Sequence, residues 1–193
     1  MNFKPLGVRV MKSMIRVCSP RTALLAATAA LILFAPLASA EAPADPPAPE
    51  GQVVLFKLHA EGVQIYECKV INPNARALWY QWVPTGPDAV LTDAKGDKVG
   101  KHYAGPTWEA DDGSKVIADK KPVETTPKPP AVPWLLLKAK SHEGDGKFSK
   151  VTYIRRVDTE GGAAPAAADF AYQGTELRVP YKATYIFYGA AKP

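Results

Sequence analysis

Cysteine is nearly absent: Cys18 and Cys68 are the only two in 193 residues. One of them falls in an N-terminal stretch that reads as removable, so no internal disulfide is expected. Local catalytic signatures are missing too. There is no Gly-x-Gly-x-x-Gly or Walker-type loop to cradle phosphates, no His-Glu-x-x-His, and no Gly-x-Ser-x-Gly elbow around Ser114 or Ser149. These absences count against a nucleotide-dependent enzyme and a serine hydrolase, and nothing calls for a cofactor. No run after residue 40 keeps a helical apolar period over ten or more residues, which argues against a helical bundle.

The basic balance of the chain, +5 at neutral pH, sits at one end. Lys4, Arg9, Lys12, Arg16 and Arg21 form a basic region, Ala23 to Ala38 is uncharged and apolar, and Ala38-Ser39-Ala40 is a small-x-small cleavage site. Together they predict a signal peptide over residues 1–40, with Met1, Met11 or Met14 as the start and Glu41 as the new N-terminus. The sixteen-residue apolar run is short for a membrane span, so no stable span is expected after cleavage. Cleavage removes five of 24 basic residues and no acids, which leaves 19 Lys plus Arg against 19 Asp plus Glu. A neutral mature chain gives no reason to expect a nucleic-acid partner. The expected location is the periplasm or the medium.

The remaining 153 residues (193 less 40) suit one domain with a sizeable core. Residues 41–50 are Ala- and Pro-rich and read as a flexible leader. From residue 51 to 189 the pattern is short apolar runs cut by Gly and Pro. Val53 to His59 and Val63 to Val70 read as strands joined at Ala60-Glu61-Gly62, and Leu78 to Val83 as a strand ended by Pro84 and Gly86-Pro87. Gly96-Asp97-Lys98-Val99 and Gly113-Ser114-Lys115-Val116 each look like a turn feeding a strand, as in adjacent hairpins of a meander. Pro122 to Pro133, with five prolines, reads as a polyproline-like loop. Strands follow at Trp134 to Ala139, Lys147 to Val157, Glu176 to Val179 and Tyr181 to Tyr188, with Pro180 marking an edge or bulge. The fold class expected is all-β: a single-domain antiparallel β-sandwich or barrel-like meander.

Four segments carry a resemblance: Leu58 to Cys68 (Leu-His-Ala-Glu-Gly-Val-Gln-Ile-Tyr-Glu-Cys), His102 to Glu109 with Asp112 to Val116, Pro133 to Lys138, and Gly146 to Arg155. In order and spacing they resemble the exported bacterial and fungal proteins of domain of unknown function family 3455, from about Glu50 to Tyr188. The resemblance implies export and a single domain, and brings no activity with it. It also implies a second cysteine after a Gly-Gly-x-x-Pro loop, as partner to the one in Tyr-x-Cys. Here that region reads Gly161-Gly162-Ala163-Ala164-Pro165-Ala166-Ala167-Ala168, so the staple is missing and a looser loop is expected.

The stretch from Gly100 to Lys115 gathers the most chemically capable side chains. His102, Tyr103, Trp108 and Glu109 are the candidate ligand-binding residues, because Gly105-Pro106 would let its two flanks turn toward each other. Glu109 packed on an indole would be desolvated and its pKa raised, which makes it the candidate acid–base residue, with His102 and His142 beside it and Asp111 or Asp112 as a second carboxylate. The competing reading is that Asp-Asp-Gly-Ser is a turn whose acids accept backbone N–H groups. His59, His102 and His142 are weak metal candidates, since neutral imidazoles from separate strands can bind Zn or Cu. Trp79, Trp82, Trp108 and Trp134 with Tyr66, Tyr80 and Tyr103 could form an aromatic binding face, or simply fill the core. Three functions remain open: a protein binding a small molecule or cell-envelope component, a small exported hydrolase or metal-dependent enzyme using Glu109 and His102, and a structural envelope module.

Overall fold

The computed structural model describes residues 46–74 and 76–191. The expected signal peptide and the first half of the leader lie outside the described residues. Nine strands run along the chain: β1 (Gln52–Val70), β2 (Tyr80–Thr92), β3 (Lys98–Tyr103), β4 (Thr107–Ala110), β5 (Lys115–Ala118), β6 (Glu124–Lys128), β7 (Ala131–Glu143), β8 (Tyr153–Gly161) and β9 (Glu176–Ala190). A 3₁₀ turn at Phe170–Tyr172 is the one helical element among the described residues.

All pairings are antiparallel and form one sheet in the order β5-β4-β3-β2-β1-β9-β8-β7-β6. The sheet also joins β5 to β7, so it is the barrel-like meander of the two architectures expected. Eight strands close on themselves, with β6 added beside the first half of β7. Closure removes the free edges of those eight strands, leaving the five-residue β6 as the one edge strand among the described residues.

Side-chain alternation divides inside from outside. Along β9, Tyr181, Ala183, Tyr185 and Phe187 pack into the interior cluster, whereas Ile186 and Tyr188 join Leu136 and Val157 on the outer face. Phe56, Phe148, Phe187 and Trp108 fill one part of the interior, with ring centroids 4.9 to 6.2 Å apart. Such burial is the main stabilising term, about 25 cal/mol per Å2 of apolar surface removed from water.

Three punctuation marks in the sequence turn out differently. Gly62 is not a hairpin turn. It lies inside the single strand β1, where a Cβ would stand 2.2 Å from the Asp88 carbonyl oxygen and 2.5 Å from the Ala89 Cα, so glycine is needed for close approach of β2. Pro84 and Gly86-Pro87 do not end a strand. β2 runs through them, with a register shift opposite Ile65 and Tyr66. The proline-rich segment contains β6, whose pairing with β7 shifts register around Pro127. Gly96 and Gly113, read as turns feeding strands, do precede β3 and β5.

Candidate functional site

The β3–β4 hairpin turns at Ala104-Gly105-Pro106, with Gly105 at φ 119°, in a region side chains disfavour. Its register pairs His102 with Trp108 and Lys101 with Glu109. Alternation then fixes the outcome. His102 and Trp108 point into the barrel, both almost wholly buried, and stack face to face with centroids 4.1 Å apart and planes 8° from parallel. Tyr103 and Glu109 stand on the outer face.

The inner pair helps to line a cavity of about 410 Å3. It is lined by Trp108, Tyr185, Leu137, Gln64, Leu135 and Arg156 among others. Pro84 to Pro87 and Gly105-Pro106 contribute as well, so the β2 register shift and the β3–β4 turn both shape it. The mouth of a small β-barrel is a common place for such a cavity. His102 Nδ1 lies 2.8 Å from the Thr107 carbonyl oxygen. A carbonyl can only accept, so Nδ1 carries the proton and Nε2 is left as an acceptor. Burial pushes the His102 pKa down to about 3, and the nearby Arg156 charge pushes the same way, against the Thr107 hydrogen bond. The imidazole is therefore neutral under ordinary conditions.

The outer pair belongs to an ionic cluster. The Tyr103 hydroxyl donates to Glu109 Oε2 at 2.7 Å, Lys101 Nζ lies 3.4 Å from Oε1, and Lys115 bridges Glu109 and Glu143. The hydrogen bond from Tyr103, followed by Lys101, holds the Glu109 carboxyl below the usual carboxylate range. That is opposite to the direction expected of a carboxyl packed on an indole, because the Trp108 ring lies on the other face of the same strand. Glu109 and His102 are thus not brought together, and an acid–base pair between them has no geometric support.

Asp112 is a structural acceptor. Its Oδ1 takes the Ser114 N–H at 2.8 Å and the Ser114 hydroxyl at 2.6 Å, and its Oδ2 takes the Lys147 N–H at 2.8 Å. Asp111 is exposed at the same turn. His142 is exposed on β7, with Nε2 2.7 Å from the Val151 carbonyl oxygen. His59 sits on β1 near Thr184, at 3.4 Å. The three histidines have separate partners, and among the described residues no group of three or more His, Cys, Asp or Glu side chains is arranged to hold a metal ion.

Of the other tryptophans, Trp82 is buried and donates Nε1 to the Ala167 carbonyl, Trp134 lies under Lys128, and Trp79 is exposed. They do not share one face.

The model of the family described as Protein of unknown function (DUF3455) matches residues 48–189. The chain belongs to this family. No curated protein and no solved structure matches it. Within this DUF3455 chain the loop after β8 covers one end of the barrel without a disulfide. Tyr66 donates its hydroxyl to the Gly162 carbonyl, Trp82 holds Ala167, and the buried thiol of Cys68 lies 3.8 Å from the Asp169 carbonyl oxygen. Burial raises the Cys68 pKa, with the Asp169 charge adding to it, so the thiol stays protonated.

Sequence reading did not single out Arg156, Tyr185, Gln64 or Leu137 as cavity residues. One signal was available for Arg156: adjacent Arg155 and Arg156 in a strand must face opposite sides, so one arginine had to enter the barrel.

Proposed function

We propose that this chain is an exported small-molecule-binding barrel that takes a largely apolar ligand in the cavity lined by Trp108 and Tyr185. The observation that carries the reading is the uneven filling of the barrel. Aromatic rings close one part of the interior, while the other part keeps about 410 Å3 open among Leu135, Leu137, Val132, prolines and a few polar groups. An apolar cavity with a small number of convergent polar side chains is the form of a binding site. The N-terminal signal pattern supports work outside the cytoplasm. A small molecule suits this concave site better than a broad envelope surface.

The test uses protein recovered after export, with its N-terminus sequenced and expected at or near Glu41. Apolar probes are titrated by calorimetry. Leu135→Trp, at a partly buried wall position, should fill the cavity and reduce probe binding at least tenfold while keeping the fold. Failure of every probe to bind the wild-type chain, or binding undiminished by Leu135→Trp, would overturn the reading.

A further inference from the structure

We infer that the cavity is built for a ligand bearing one carboxylate on an apolar body, and that Arg156 is the residue that receives the carboxylate. This rests on the small-molecule reading above and specifies its ligand class.

Arg156 is 9% exposed, on the inward face of β8. Nε and Nη2 donate to the Pro133 carbonyl oxygen at 3.0 and 2.9 Å, which fixes the guanidinium plane. Among the described residues no carboxylate pairs with it and no acceptor is hydrogen-bonded to its Nη1. Its neighbour shows the contrast: Arg155, facing outward, pairs with Glu124 at 2.9 Å. Burying a charge without a counter-charge is costly and persists where something else compensates it.

The rest of the lining points the same way. The cavity wall contains no Asp or Glu, while Lys120 adds a second cation. His102 is neutral and so does not compete for the anion. A carboxylate is acceptor-only and matches a guanidinium fork geometrically. At about 30 Å3 per water-sized group, a 410 Å3 cavity holds on the order of a dozen non-hydrogen atoms. That size fits a medium-length fatty acid or an arylalkanoic acid.

The exported wild-type chain is titrated by calorimetry with dodecanoate and with dodecan-1-ol, and in parallel with 3-phenylpropanoate and 3-phenylpropan-1-ol. Each acid should bind at least tenfold more tightly than its alcohol, and the stronger of the two acids tells a flexible chain from an aromatic body. Arg156→Met should lower acid affinity at least tenfold more than alcohol affinity, Arg156→Lys should retain part of the preference, and an acid preference that survives Arg156→Met overturns the assignment to Arg156. Equal affinity for acid and alcohol in the wild type overturns the carboxylate inference but leaves the cavity reading standing. Binding of neither series overturns both. If Arg156→Met does not fold, Lys120→Met decides the assignment: an acid preference kept in that variant leaves Arg156 as the receiver, and its loss overturns the assignment.

Discussion

Trp108 and Glu109 are neighbours in the chain and opposites in environment. Trp108 is 1% exposed, stacked on His102 and in edge contact with Tyr185 at 5.3 Å. Glu109 stands among Tyr103, Lys101 and Lys115 on the outer face. The two positions therefore separate stability from surface charge. Trp108→Ala should lower the unfolding free energy by about 3–5 kcal/mol, as a truncation of a large buried ring, and should also weaken probe binding because it removes part of the cavity lining. Glu109→Gln should leave the melting temperature within a few degrees and the probe affinity within about twofold. Chemical denaturation and titration of both variants check this. A Glu109→Gln variant that folds but no longer binds would show that the outer face communicates with the cavity. Which of the two residues faces inward was not readable from sequence, since alternation gives two faces but not which one is inside.

At the level of elements, strand identity was legible where β-branched and aromatic residues alternate, as in Val63 to Val70 and Tyr181 to Tyr188. Strand ends were less so. Gly62, Pro84 and Pro180 look like stops, yet each is absorbed within a long strand by close approach, by a register shift or by position. Pro180 lies just beyond the last β8–β9 pair, Gly161 with Tyr181, where the ladder on that side has ended. The loop between β8 and β9 lacks the disulfide that the family resemblance implies, and a looser loop is expected there. Hydrogen bonds from Tyr66 and Trp82 hold it instead, with Ala168 packed against the cluster of Tyr66, Cys68 and Trp82. Ala168→Cys should therefore form an intrachain bond with Cys68, closing a loop of about 100 residues and adding roughly 2–4 kcal/mol. Intact mass should fall by about two daltons on oxidation, within the usual two-hydrogen stoichiometry of disulfide formation, and the gain in melting temperature should vanish with reductant. A free thiol in the oxidised variant would show that the loop holds the two side chains apart.

For the whole molecule, the buried neutral His102 couples folding to acidity. Its folded pKa is about 3, against an ordinary value of about 6.5 in the unfolded chain. Between those values the unfolded state binds a proton that the folded state does not, so unfolding becomes easier as the pH falls. The stability tied to His102 is fully present above about pH 6.5 and is lost progressively toward pH 3, at about 1.4 kcal/mol per pH unit. Asp93, Glu109 and Asp112 also have lowered pKa values, from hydrogen bonds and nearby lysines. Their share is present above about pH 5 and is lost as the pH falls through the carboxylate range. In the window from pH 6 to pH 4.5 the histidine therefore dominates the slope. Denaturation of the wild type across it should show unfolding free energy falling by about 2 kcal/mol. His102→Asn, whose amide nitrogen can replace Nδ1 as donor to Thr107, should be flatter by about that amount, whatever its absolute stability. A His102→Asn chain that keeps the wild-type slope, or an imidazole seen by NMR to titrate near pH 6 in the folded protein, would mean that His102 is hydrated in the open part of the barrel and does not act as part of its core.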